Sequence, residues 1–361
     1  MRAPALFPRV SSSPMNKTRP VTLQSLARQL GLNVSTVSRV LNGSEDDARG
    51  AAAPDTVKRI RALAAELHYQ TNPHAASLKT RRSRTIGVLV PRLSDMVLAT
   101  IYEGIDEAAA EHGYLTFVSN TQDVPDKQRK LIDMAVARRV DGLILGDAHS
   151  GPDDAPPNPL LADLAARDVP FVLVSRHAGS HCAVTCDDIE GGRLAAEHLL
   201  AMGHRRIAVM MGEPFASTGR DRSNGFLDYC SRHGVEVPAH WRIASPFDTD
   251  AGRALGARLL DTADRPTAIF AVNDFLAVGV MGAARDHGLE AGRDVAIVGY
   301  NDTPLAGALP IGLTTIHSPM HQMGRLGLEL LLQKLAGGQP PSQRLAPSLV
   351  VRDSSNRRIA G

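Results

Sequence analysis

Three stretches of this 361-residue chain carry side chains whose types and spacing could do chemistry. In residues 34–41, VSTVSRVL, helical spacing puts Ser35, Thr36, Ser38 and Arg39 on one side and Val37, Val40 and Leu41 on the other. A row of hydroxyls and a guanidinium on the outer face of a short helix suits hydrogen bonding to base edges and phosphates in a DNA major groove. Residues 79–84 then crowd Lys79, Arg81, Arg82 and Arg84 into six positions, charge suited to a polyanion. The third stretch, RHAGSHCAVTC, sets His177, His181, Cys182 and Cys186 within ten residues and raises the question of zinc. It holds no regular Cys-x2-Cys pair, so its thiols read as buried or incidental and no metal is expected.

Other chemistries lack their motifs. The glycines of MGEPFASTGRDRSNG form neither a G-x-G-x-x-G nor a P-loop pattern, no G-x-S-x-G elbow occurs, and no carboxylate pair suggests acid–base work. The chain therefore reads as a non-enzyme without a cofactor. Three cysteines cannot staple 361 residues, which points to a reducing compartment, the cytoplasm. No apolar run of about 18 residues appears, and residues 1–14 are too short and proline-broken for a signal peptide, so no membrane partner is expected. The net charge of +2 hides an asymmetry. Residues 15–84 hold 12 Lys+Arg against 5 Asp+Glu, and residues 85–361 hold 26 against 33. A basic head on an acidic body implies a polyanion partner for the head alone.

The elements that must position these groups are legible around them. In VTLQSLARQLGLNVSTVSRVLNGS, Leu23, Leu26, Ala27 and Leu30 recur at helical spacing, Thr22 stands as a cap, and Gly31 allows a tight turn. Asn33 or Val34 opens the second helix. A third follows in PDTVKRIRALAAELHYQ, with Pro54 at its first position and a stripe of Val57, Ile60, Leu63, Ala64 and Leu67. The wording of 21–43 strongly resembles the DNA-binding head of the LacI-type (lactose/galactose repressor) family. The resemblance implies that Val34 and Ser35, with Arg39 one turn on, read bases, while Thr22, Asn33, Thr36, Ser38 and Asn42 hold phosphates. It also implies a short hinge helix in NPHAASLKTRRS, with Ala75 and Leu78 wedged into a minor groove beside Lys79. Residues 45–53 are longer than the family usually has there and read as a surface loop.

From Thr85 onward short apolar runs (TIGVLV, LTFVSN, DGLILG, PFVLVS, RIAVMMG, TAIFAVN, VAIVGYN) alternate with helical stretches, the pattern of doubly wound α/β sheets. GGRLAAEHLLAMGHRRIAVMMG, AVNDFLAVGVMGAARDHGL and LTTIHSP make this body resemble the same family's periplasmic-binding-protein-like core. The expected architecture is an all-α helix-turn-helix head plus a body of two doubly wound parallel-sheet lobes. The boundaries read as an extension over 1–20, head over 21–70, hinge over 71–84 and effector-binding domain over 85–361. Lobe 1 is placed at about 85–178 and 318–344, and lobe 2 at about 179–317 and 345–361, with chain crossings near 175–184, His317 and Leu345. By motif match, the cleft residues are Val97, Leu98, Arg193, Arg220, Arg222, Phe226, Asn273, Asp274 and Asp302. Arg193 and Asp274 form the expected polar clamp, and Phe226 is the main aromatic surface in a chain with 4% aromatic residues.

The implied function is a ligand-responsive transcriptional regulator, by family default a repressor. Its implied partners are a double-stranded, near-palindromic operator, a small effector such as a sugar or sugar acid, and a second copy of the chain. The chain shows no heptad leucine tail after its last strand, so the assembly reads as a dimer with Val278 and Met281 near the contact. A transport-associated binding protein would account for the body alone, and a Rossmann-type enzyme only for the strand–helix alternation.

Overall fold

The computed structural model describes residues 21–69, 82–151 and 158–355. Residues 21–69 lie in one compact unit, and the body from Arg82 is a second. In the head, α1 (Leu23–Leu30) and α2 (Val34–Asn42) are joined through Gly31, whose φ of 68° needs no Cβ to be accommodated. Thr22 and Ser25 close a capping box at α1. Residues 45–53, read as a loop, instead fold into α3 (Glu45–Ala51). The reason is local: Ser44 and Asp47 form a second capping box, Glu45, Asp46 and Asp47 sit in the first turn, and Ala48 is buried. Helix α4 (Pro54–Glu66) completes a core of Leu26, Ala27, Val37, Val40, Ala48, Ile60 and Ala64.

The body contains two six-stranded sheets. The first is built from β1 (Thr85–Val90), β2 (Leu115–Asn120), β3 (Gly142–Leu145), β4 (Phe171–Val174), β5 (Ala183–Cys186) and β11 (Gln343–Leu345), in the order β11-β5-β4-β3-β1-β2, all parallel. Around it lie α5 (Met96–Glu111), α6 (Pro125–Ala137) and α7 (Pro159–Ala166). The second sheet has the order β12-β10-β9-β8-β6-β7, from β6 (Ile207–Gly212), β7 (Arg242–Ala244), β8 (Ala268–Ala271), β9 (Ala296–Asn301), β10 (Thr314–His317) and an antiparallel β12 (Ser348–Val350). With it go α8 (Asp188–Ala201), α9 (Ser217–Arg232), α10 (Thr249–Leu260), α11 (Asp274–Asp286) and α12 (Pro304–Ala308). Helix α13 (Met320–Leu335) returns to the first lobe and packs on α5, where Gly104 and Gly324 let the two backbones touch.

The chain crosses between lobes at Asp187, at 318–319 and at 346–347. The second lies just past His317 and the third just past Leu345, which belongs to β11 of the first sheet. The first lies later than the expected 175–184, because β5 pairs in parallel with β4 and β11 and so belongs to lobe 1. The amide of Asp187 donates to the Leu345 carbonyl at 2.8 Å, so the first and third crossings are bonded side by side.

Candidate functional site

The carboxyl ends of the parallel strands in both lobes face a cavity of about 520 Å³. This is where ligands sit in open α/β sheets, because helix N-termini and strand-end loops converge there. Four helix starts contribute lining residues: Asp95 and Val97 at α5, Thr218 at α9, Asp248 and Thr249 at α10, Asn273 and Phe275 at α11. Asp95, Asp248 and Asn273 are N-caps, accepting from the amides of Val97, Ala251 and Leu276 at 2.8–2.9 Å. Burial pushes the Asp95 carboxyl up, against the pull of the Val97 amide and of Arg176 and Arg222.

Arg222 is the best-anchored charge on the cavity wall. It is 4% exposed; Nε donates to Asp188 at 2.8 Å, Nη1 to the Val272 carbonyl at 2.8 Å, and the guanidinium lies 3.8 Å from the Tyr300 ring centroid. These contacts fix the fork and leave Nη2 with no hydrogen bond among the described residues. Burial pushes the Asp188 carboxyl up while Arg222 opposes it. Across the cleft, Arg176 donates to both Asp123 oxygens at 2.6 and 3.1 Å and lies 5.6 Å from the Phe215 ring. Burial raises the Asp123 carboxyl, but hydrogen bonds from His149 and Arg176 outweigh it and hold the group below its ordinary value. Gln122, Asp123, Ser175 and Asn301, all on the wall, adopt φ of 62°, 56°, 67° and 110°. Backbone strain of this kind gathers where the surrounding structure holds a site in shape.

Of the expected effector residues, Val97, Leu98, Arg222 and Asn273 line this cavity, and five do not. Arg193 is held on the flank of α8 by Glu190 and Glu197, at 2.7 and 3.0 Å. Phe226 is fully buried and stacked on Phe270 at 4.7 Å in the lobe 2 core. Asp274 accepts from Thr303 and Thr315, and Asp302 pairs with Arg352 and His317. Arg220 bonds Gly151 and Ser150 at the rim. The aromatic surface is instead Phe215, Phe247 and Phe275. In both Asn-Asp pairs, Asn273-Asp274 and Asn301-Asp302, the asparagine faces the cavity and the aspartate braces the loop behind it. Asp95 falls within the 91–98 segment expected to face the cleft, but Arg176, Phe215, Phe247 and Asn301 were missed, although each lies at or just after the carboxyl end of a strand, where the carboxyl-end rule would have found it.

In the head, Val34 is 38% exposed, Ser35, Arg39 and Asn42 are also exposed, and Thr36 and Ser38 are half-buried. Thr22 and Asn33 are already engaged as caps, and the Asn33 side-chain oxygen accepts both the amide and the hydroxyl of Ser35, at 2.9 and 2.8 Å. Asn42 Nδ2 reaches Ser38 Oγ at 3.4 Å. Ala75, Leu78 and Lys79 lie outside the described residues. The four residues of RHAGSHCAVTC diverge: His177 meets Asp221, His181 the Phe171 ring and Cys186 the Tyr300 hydroxyl, while Cys182 is a half-buried free thiol.

Comparison with known proteins is decisive about kinship. Residues 196–355 match the periplasmic binding protein-like domain. The chain is 30% identical over 339 residues to the HTH-type transcriptional repressor PurR of Escherichia coli O1:K1, covering 92% of this chain and 96% of that one. This protein belongs to the LacI-type family of transcriptional regulators. Among solved structures, this LacI-type chain is similar to the Lac repressor dimer bound to operator and the anti-inducer ONPF, at TM-score 0.83 and 28% identity, covering 93% and 99% of the two chains. It is also similar to a complex of the regulator CelR with cellobiose, at TM-score 0.68 and 29% identity, covering 92% and 99%. The family accounts for both units, a DNA-binding head and an effector-binding body. No described helix is long and apolar enough to cross a membrane.

Proposed function

We propose that this regulator represses transcription as a cytoplasmic homodimer on a near-palindromic operator, and that a neutral, hydroxylated small molecule in the cleft controls it. Val34, Ser35 and Arg39 read bases from the exposed face of α2; Thr36, Ser38 and Asn42, with the unshared donors of Thr22 and Asn33, meet phosphates. Ala75, Leu78 and Lys79 serve the hinge contact. A Lac repressor on operator and a CelR–cellobiose complex among the similar structures support this reading.

The observation that carries the effector class is the charge balance of the wall. It presents four carboxylates (Asp95, Asp123, Glu213, Asp248) and three guanidiniums (Arg92, Arg176, Arg222). Arg176 is already paired to Asp123 and Arg222 to Asp188, which leaves no deep cation free to neutralise an acid. The helix N-termini, each worth about half a positive charge, offset the remaining carboxylates. Asn301 and Arg222 Nη2 suit hydroxyls, the Asn273 side chain being committed to the Leu276 amide and the Phe247 carbonyl, and the phenylalanines suit the apolar face of a ring. A sugar acid therefore fits less well than a neutral sugar.

Footprinting of operator DNA by the full chain, repeated with matched neutral and acidic sugars, tests this. A neutral sugar should shift the footprint midpoint and its acid counterpart should not. Acid-only responses would overturn the effector class, and a chain that protects no palindromic site would overturn the DNA reading.

A further inference from the structure

One group of polar contacts joins the two lobes beside the cavity. On lobe 1 they come from the loops after β3 and β4, and on lobe 2 from the start of α9. The Ser150 amide donates to the Phe215 carbonyl at 2.9 Å. Arg220 Nη1 donates to the Gly151 carbonyl at 2.6 Å and to Ser150 Oγ at 3.2 Å. The His177 amide donates to Ser217 Oγ at 2.9 Å, and its Nε2 lies 2.6 Å from Asp221 Oδ2. Asp221 Oδ1 in turn accepts from Arg220 Nε at 3.1 Å, so the two halves of the group share one carboxylate. The Phe215 ring closes the set, stacked on His149 at 4.2 Å.

We propose that this rim is a clasp which holds the lobes closed through protein–protein bonds, with Arg220, Asp221 and His177 as positioning residues that set the open–closed balance without touching the effector. Three features support it. Every contact bridges the lobes or ties a bridging residue to its neighbour. Asp221 and Arg220 are only partly exposed, at side-chain accessibilities of 18% and 19%, so the carboxylate they share with His177 is partly sheltered from water, while the Arg220–Gly151 bond lies at the exposed edge. Burial pushes the Asp221 carboxyl up, yet His177 and Arg220 outweigh burial and hold it ionised below its ordinary value. If closed lobes are the form that encloses a ligand, their fractional population divides the intrinsic dissociation constant to give the apparent one. Effector sensitivity is then adjustable at the rim, independently of cavity contacts. This last consequence rests on the cleft being the effector site; the clasp itself does not.

Residue-resolved hydrogen exchange on the full chain, without ligand, tests the clasp by cross-talk. Arg220→Ala removes none of the bonds made by the His177 amide, and His177→Ala removes none made by the Ser150 amide. A clasp requires that each variant raise exchange at the other's amide, by about tenfold, while amides inside β6 stay unchanged. Exchange that rises only next to each substitution would overturn the proposal, because the contacts would then be independent. Should Arg220→Ala also raise β6 exchange, Arg220→Lys is the second variant. Lysine keeps the charge but cannot hold Gly151 and Asp221 together, so the same distant amide should respond, and its silence counts against the clasp.

Discussion

Arg222 and Asp188 illustrate how a single buried pair serves both stability and recognition. With both side chains about 5% exposed, neither charge has water to fall back on. Truncating one partner of such a pair costs about 3–5 kcal/mol, because the other is left buried and uncompensated. Arg222→Ala should therefore lower the unfolding free energy by that amount in urea melts and also abolish the effector response. Arg193→Ala, at a surface pair, should change stability by less than about 1 kcal/mol and leave the effector response intact. Two other buried groups give the protein opposed pH dependences. Burial pushes His204 down from 6.5 to about 4, so its contribution is full above pH 6.5 and is lost as pH falls toward 4. Burial pushes Asp274 up from 3.8 to about 6, so its contribution is full below 3.8 and is lost as pH rises through 6. Urea melts between pH 4 and 7 should show His204→Gln flattening the acid-side loss and Asp274→Asn steepening it.

At the scale of elements, α3 shows what periodicity misses. EDDARGA has one buried residue, Ala48, and no apolar stripe, so a pattern search finds a loop. Its helix is written instead in the cap, Ser44 with Asp47, and in the acidic first turn. Ser44→Ala should cost the head about 0.5–2 kcal/mol, read as a lower melting temperature of the head with the body's transition unmoved. The strands were easier, since parallel strands buried on both faces appear as continuous apolar runs. Lobe membership of β5 was not legible, because AVTC would pair equally well in either sheet. The α8–α9 packing was likewise hidden: Gly192 and Gly225 bring the backbones together, and a Cβ at either would strike the opposite helix. Gly225→Ala should destabilise lobe 2 by about 1–3 kcal/mol in chemical unfolding.

Across the whole molecule, charge is divided by region. Between residues 21 and 69 there are 6 Lys+Arg and 5 Asp+Glu, so the folded head is nearly neutral. The excess lies in Lys17 and Arg19 before it and in Lys79, Arg81, Arg82 and Arg84 after it. The salt dependence of operator binding should accordingly come from the flanks. Replacing Lys79 and Arg81 by glutamine should reduce the log–log slope by about 0.9 for each phosphate that is no longer neutralised. An unchanged slope would place the phosphate-binding charge on the head's own arginines.

Composition, apolar runs and the wording of the helix-turn-helix determined by themselves the two-part plan, the all-α head, the paired α/β lobes and the family. These follow from local propensity and burial pattern, which neighbouring residues carry among themselves. The clamp residues did not follow. An arginine or aspartate looks the same in sequence whether it meets a ligand or a neighbouring side chain. Only the tertiary structure set Arg222 on the cavity and Arg193 on α8's flank, turned Asn273 and Asn301 inward, and gave Arg220 to the rim. The physical reason is that a charge's role is decided by what compensates it: Arg193 finds its partners three and four residues away on its own helix, whereas those of Arg222 and Arg220 lie tens of residues away on other elements.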